Sequence, residues 1–183
     1  PTPELSFAVR YLYAYAGIVI TASHNPKQYN GFKVYGADGA QLVPGGADAI
    51  VAYMEKIEDM FAIEVADFET HGQFILEKMD AAYQSSLLQL RAQLVNRNIK
   101  LVYTPLHGAG LVPVREGLKA FGFENVHIVA EQAIQDGAFP TESYPNPEEA
   151  AAFSIAMEQG QQVGADLQLT TDPDADRLSV AIR

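Results

Sequence analysis

Gly17-Ile18-Val19-Ile20-Thr21-Ala22-Ser23-His24-Asn25-Pro26, followed two residues later by Tyr29-Asn30-Gly31-Phe32-Lys33-Val34-Tyr35, is the stretch from which the rest of the chain can be read. Gly17 to Ile20 is a short apolar run and predicts a buried strand. Pro26 closes the polar loop behind it and disfavours helical geometry at Asn25. Gly31 to Tyr35 predicts a second strand, stopped by Gly36-Ala37-Asp38-Gly39. Ser23 therefore stands between two strands, beside His24 and ahead of Lys33. These are ingredients of covalent catalysis, because a hydroxyl needs activation and a lysine can move a proton or neutralise charge. Ser-His-Asn-Pro is equally ordinary turn chemistry. The nucleophile elbow of the hydrolases is excluded, since Ala22 and His24 flank the serine where that frame needs glycines.

A second chemical stretch is Asp172-Pro173-Asp174-Ala175-Asp176-Arg177. Its carboxylates recur at every second residue, and they can converge on one hard cation if the loop curls. Oxygen-only ligation suits Mg²⁺, which keeps positions for water or a phosphate oxygen. Without a cation the same letters make an acidic turn. An EF-hand starting at Asp172 fails, because Arg177 and Arg183 occupy the places of its glycine and glutamate. A haloacid-dehalogenase-type phosphotransferase would use the Asp172/Asp174 pair, but Ala175-Asp176 breaks the rest of that motif. It stays the runner-up chemistry.

Between these stretches the chain reads as alternating helices and strands, which predicts a layered α/β fold. Leu5, Phe7 and Val9 alternate and suggest a strand, with Ala8 to Ala16 as a following helix. Helices are expected over Asp48–Phe61, with an apolar stripe of Ile50, Val51, Met54, Ile57 and Phe61, and over Asp80–Val95, with a stripe of Tyr83, Leu87, Leu88, Leu90 and Leu94. From Ile99 the pattern becomes β-α-β. Strand Ile99–Tyr103 leads through Thr104-Pro105-Leu106-His107-Gly108-Ala109-Gly110 into helix Val112–Phe121, ended by Gly122. Strand Val126–Val129, a Pro-rich loop from Asp136 to Glu148, a helix Pro147–Gln159 ended by Gly160, and strands Ala165–Leu169 and Leu178–Ile182 complete the expectation. Gly108-Ala109-Gly110 is no dinucleotide fingerprint, because Pro113 takes its third glycine, yet backbone N–H groups at that helix start can hold a phosphate. His107 either lines a site or orders its turn. His71 and His127 read as surface or packing residues.

Twelve Lys and Arg against 23 Asp and Glu give a net charge of −11, which argues against nucleic acid or an anionic membrane surface as partner. An acidic chain that handles phosphate must gather its few cations locally, which draws attention to Lys33 and Arg177. The absence of cysteine excludes a disulfide framework and thiolate metal sites, and fits a cytoplasmic protein. The opening Pro1-Thr2-Pro3, without an initiator Met, leads us to expect a fragment of a longer polypeptide.

Thr21-Ala22-Ser23-His24-Asn25-Pro26 with Tyr29-Asn30-Gly31-Phe32-Lys33 resembles the phosphoserine loop of the α-D-phosphohexomutases, the phosphoglucomutase and phosphomannomutase superfamily. Asp172-Pro173-Asp174-Ala175-Asp176-Arg177 resembles the metal loop of the same family, in which three aspartates hold Mg²⁺ and the phosphoserine adds an oxygen. Pro173 and Thr104-Pro105-Leu106-His107-Gly108 are more similar to the bacterial phosphoglucomutase branch allied to the phosphopentomutases. The resemblance implies an intramolecular phosphotransferase that interconverts hexose 1-phosphate and hexose 6-phosphate, with glucose the expected sugar. Phospho-Ser23 would give its phosphoryl group to a sugar monophosphate, and glucose 1,6-bisphosphate would turn over and return the other phosphate. By the same resemblance Lys33 is the acid/base or charge partner, and His24 supports the loop. Arg177 reaches phosphate oxygens, while Ser23, Asp172, Asp174 and Asp176 hold the Mg²⁺.

The family's early Ser-Gly-x-Arg loop, its Gly-Glu-x-Ser sugar loop and its C-terminal phosphate-binding loop are not found in this sequence. The chain is therefore expected to be the end of domain 1 (residues 1–73) plus most of domain 2 (74–183). Its partners would be a phosphorylated sugar and the missing domains 3 and 4 of the same polypeptide, and alone it would have negligible mutase activity. The alternatives are a haloacid-dehalogenase-like phosphatase using Asp172, and a non-catalytic binding module that kept the fold. Intact Ser23, Lys33 and aspartates speak against decay.

Overall fold

The computed structural model describes residues 1–92 and 96–183. Helix α1 (Thr2–Tyr11) opens the chain, so the expected strand over Leu5–Val9 is replaced by one helix. The apparent alternation comes from two faces of that helix. Leu5 and Val9 lie one turn apart and close on Gly17, where an added Cβ would meet the Val9 side chain at 2.5 Å. Phe7 points elsewhere and stacks on Tyr11, one turn on, with ring centroids 5.3 Å apart.

Strands β1 (Ala16–Ile20) and β2 (Phe32–Gly36) form an antiparallel pair, with Val19 opposite Lys33. The expectation that β1 is buried fails: Ile18 and Ile20 are 59% and 70% exposed. Only the face carrying Gly17 and Val19 is partly covered, because α1 lies on one side of a two-stranded sheet. Helix α2 (Pro44–Met54) starts and ends earlier than expected, and none of its residues is buried. Val51, Met54, Ile57 and Phe61 are exposed, so the expected packing stripe is absent among them. Phe61 sits in a separate turn whose start is capped by Asp59, which accepts the Phe61 N–H at 2.9 Å.

A short helix α3 (Phe68–His71) lies inside the connector and carries the exposed His71. Helix α4 (Leu76–Leu88) then packs on α1 and α5. Met79 is its buried residue, Leu88 and Leu90 are exposed, and the expected Leu94 and Val95 lie outside the described residues.

The second sheet runs β4-β3-β5-β6, with β3 (Leu101–Thr104) parallel to β4 (Val126–Ile128) and to β5 (Leu167–Thr171). Strand β6 (Leu178–Ile182) is antiparallel to β5. The layered α/β expectation holds, and this sheet is mixed. Every residue of β3 is buried, as a central parallel strand requires. Helix α5 (Leu111–Phe121) ends at Gly122, whose φ of 91° only glycine adopts without strain. Helix α6 (Ser154–Val163) differs from expectation at both ends. Its start follows a 3₁₀ turn at Ala150–Phe153, and its stop is Gly164. Gly160 is interior, where its bare Cα lets the Gln168 side chain of β5 approach. Val102, Val129, Ala156 and Ala165 make the core between this helix and the sheet.

From β3 the chain goes to one neighbour and then crosses back to the other. The strand order thus reverses between β3 and β5, and such a reversal leaves a crevice outside the carboxyl ends of the two strands. The loops after β3 and β5 lie there.

Candidate active site

The serine loop is built at the end of β1. Its neck is closed by the Thr21 N–H donating to Gly31 O at 2.9 Å. The Ser23 N–H donates to the Thr21 hydroxyl oxygen at 2.7 Å, and Asn25 N–H donates to Ala22 O at 3.0 Å. These bonds hold Ser23 at φ 54°, a left-handed conformation that costs a non-glycine residue about 1–3 kcal/mol. The strained turn presents the hydroxyl to the aspartate loop.

The aspartate loop curls on itself at the end of β5. Asp172 is fully buried, and its Oδ1 accepts the N–H groups of Asp176 and Arg177 at 3.1 and 2.9 Å. Ala175, at φ 57°, reverses the chain between them. The loop after β3 holds this curl from below. Ala109 N–H donates to Pro173 O at 2.7 Å, and a Cβ on Gly108 would collide with the Pro173 backbone. Gly108 N–H is bonded to Pro105 O at 2.9 Å. The Ala109 amide is thus spent on the aspartate loop and the Gly108 amide on its own turn. His107 orders its turn and stays out of the cleft. It is buried, its Nδ1 lies 2.8 Å from Ile134 O and its Nε2 lies 2.8 Å from Thr141 Oγ1.

The two loops meet. Ser23 Oγ is 3.0 Å from Asp172 Oδ2 and 3.2 Å from Asp174 Oδ1, across 149 and 151 residues of chain. His24 Nδ1 also lies 3.2 Å from that hydroxyl. Lys33 reaches over from β2 and donates to Asp174 Oδ2 at 2.9 Å and Asp176 Oδ2 at 2.7 Å. Arg177 is turned outward onto Glu148 at 2.9 Å, at the rim of the site. A cleft of about 370 Å³ opens beside Ser23 between the serine loop, Phe139 and Asp174.

Crowding of charge shows in the titration of these groups. Burial, aided by the hydrogen bond with Asp174, pushes the Asp172 carboxyl up to about 7. Burial works to raise Asp174 too, but the hydrogen bonds from Lys33, Asp172 and Thr2 hold it down at about 2. Lys33 rises despite its burial, because Asp176 and Asp174 both accept from it. Burial and the Arg177 charge lower His24.

One oxygen from each of Asp172, Asp174 and Asp176 lies within 4.8 Å of the others. Three carboxylates face a single lysine ammonium. A hard divalent cation fits this all-oxygen set, which is short of positive charge. All seven residues singled out in the sequence lie in this region. Two functional side chains had no assigned role there, Thr2 and Thr21, whose hydroxyls both donate to Asp174 Oδ2 at 3.0 and 3.2 Å. Thr21 belongs to the serine motif, but nothing local to Thr2 signals a contact 172 positions away.

Comparison with known proteins places the chain in a family. Residues 81–183 match the family model described as phosphoglucomutase/phosphomannomutase, alpha/beta/alpha domain II. The chain belongs to the phosphoglucomutase/phosphomannomutase family. Residues 1–60 match the family's alpha/beta/alpha domain I. A phosphoglucomutase of Staphylococcus epidermidis is 39% identical over 186 residues, covering all of this chain and 34% of that protein. One from Staphylococcus aureus is 40% identical over 185 residues, with the same coverage. A crystallised Thermus thermophilus protein described as a phosphomannomutase superposes with a TM-score of 0.82 at 30% identity, covering 100% of this chain and 40% of that one. The chain spans about a third of the length of these curated relatives. No helix among the described residues is long and apolar enough to cross a membrane.

Proposed function

We propose that this chain carries the phosphoryl-transfer part of a Mg²⁺-dependent phosphohexomutase, glucose 1-phosphate and glucose 6-phosphate being the favoured pair. One observation carries the reading: the Ser23 hydroxyl stands within 3.2 Å of two buried aspartates from the far end of the chain. A phosphate ester on Ser23 would bring up to two negative charges into that carboxylate cluster, so the arrangement makes sense only with a compensating cation.

Ser23 is the residue that takes and gives the phosphoryl group. Its Oγ–P bond breaks as the sugar hydroxyl bonds to phosphorus, the hydroxyl proton ending on Oγ, and re-forms as the other phosphate leaves the bisphosphorylated sugar, a proton returning to the freed sugar oxygen. Asp172, Asp174 and Asp176 with Ser23 would hold Mg²⁺, which supplies charge neutralisation and polarises the phosphoryl group when bound. Lys33 keeps its ammonium at the carboxylates and serves as charge partner or proton donor to the transferring oxygen. His24 holds the Ser23 hydroxyl through its Nδ1, at 3.2 Å. Arg177 at the rim is placed to exchange Glu148 for an incoming phosphate, which its planar fork can grip with two bonds. The domain boundary falls between residues 73 and 74, and sugar selection belongs to domains outside this chain. The phosphatase alternative is disfavoured, because the family models that match residues 1–60 and 81–183 are both those of the phosphoglucomutase/phosphomannomutase family.

Intact-mass measurement after incubation with glucose 1,6-bisphosphate and Mg²⁺ tests the reading. A gain of one phosphate, mapped to Ser23 and lost in Ser23→Ala, is expected. A labile phosphate on Asp172 would overturn it.

A further inference from the structure

Asp174 is held differently from its two neighbours. Its Oδ2 accepts from three donors at once, the Thr2 hydroxyl at 3.0 Å, the Thr21 hydroxyl at 3.2 Å and the Lys33 ammonium at 2.9 Å. Its Oδ1 faces the Ser23 hydroxyl, at 3.2 Å. A carboxylate oxygen has about two lone-pair sites, so Oδ2 has none left over. Thr2 is itself 3% exposed, and its backbone N–H donates to the Asp174 carbonyl at 2.9 Å. The first turn of α1 and the neck of the serine loop thus grip one oxygen of one aspartate from two sides.

We infer that Thr2 and Thr21 are positioning residues that hold Asp174 to one-oxygen ligation and so set the site's preference for Mg²⁺ over Ca²⁺. This rests on the metal reading proposed above. Mg²⁺ demands near-octahedral geometry with short bonds and takes one oxygen from each carboxylate. Ca²⁺ is larger, accepts more ligands and readily takes both oxygens of a carboxylate. A carboxylate whose second oxygen is locked to two hydroxyls cannot swing to offer both. Outer partners of this kind change metal affinity by about 10–100-fold when removed. Lys33 alone would not impose the restraint, since its long side chain can follow the carboxylate as it turns. The short, β-branched threonines cannot.

The test is calorimetric titration of Mg²⁺ and of Ca²⁺ into the intact polypeptide that carries this segment, with Ser23 unphosphorylated. Thr2→Val keeps the shape and the backbone bond and removes only the hydroxyl; Thr2→Ser restores it. The ratio of the two affinities should move toward Ca²⁺ by about tenfold in Thr2→Val and return in Thr2→Ser. Thr21→Val should move it the same way, and it carries the test if Thr2→Val fails to fold. An unchanged ratio in the folded valine variants, or a serine variant that behaves like valine, overturns the inference while leaving the metal site standing. Wild-type protein that binds no Mg²⁺ would instead remove the metal reading, and the inference with it.

Discussion

The two halves of the site rest on very different supports. The aspartate loop grows from a sheet whose central strand is buried along its whole length. The serine loop grows from a two-stranded ribbon with Ile18 and Ile20 turned to solvent, beside a helix, α2, in which no residue is buried. A ribbon of two strands is marginal by itself. What fixes Ser23 is the set of polar contacts it shares with the other half, through Thr2, Thr21, Lys33 and its own hydroxyl. One half is a frame, and the other is held to it by hydrogen bonds. Stability is accordingly uneven along the chain.

Four substitutions can break or sharpen that contrast. Gly108→Val should have the largest effect, since a side chain there collides with the Pro173 backbone and must push the aspartate loop out of place. Mg²⁺ affinity by calorimetry is expected to fall about 100-fold or more, beyond the range for a lost outer partner. Leu101→Ala, in the buried strand, should cost about 2–5 kcal/mol in urea unfolding. Ile18→Ala, the same kind of truncation on the exposed ribbon face, should stay within about 0.5 kcal/mol. Equal losses at the two positions would erase the distinction.

The smallest effect concerns the seam between the halves. Burial and the neighbouring Asp80 carboxyl raise the Glu4 pKa, and its Oε1 is buried without a partner. A carboxyl raised in the folded state binds more protons there than in the unfolded chain. Its stability contribution is therefore lost as pH climbs from the ordinary carboxylate value through the raised one. Asp80→Asn should lift Tm by about 1 °C at neutral pH, and by nothing in buffer acid enough to protonate both groups.

Motifs with a fixed chemical order were legible in the sequence. The strand, serine, proline and strand around Ser23, the three alternate aspartates, and Gly122 closing α5 could all be placed from residue type and spacing. Misreadings arose where one pattern serves two structures. Leu5, Phe7 and Val9 alternate as a strand would, yet they line two faces of α1. Gly160 looks like a stop because glycine often is one; here it makes room for Gln168, and Gly164 ends the helix. The apolar letters of β1 announce a strand without revealing whether anything covers it. Thr2 was invisible for another reason: its partner is 172 positions away, and only the folded chain brings them together.

That separation also orders events at the ribosome. Ser23 emerges from the exit tunnel long before Asp172 and Asp174 are translated, and during that interval its hydroxyl lacks both of those partners. The contact between the two loops is therefore completed only once β5 and the turn behind it have been synthesised, so the two ends of the chain must both be present before the site exists as a unit.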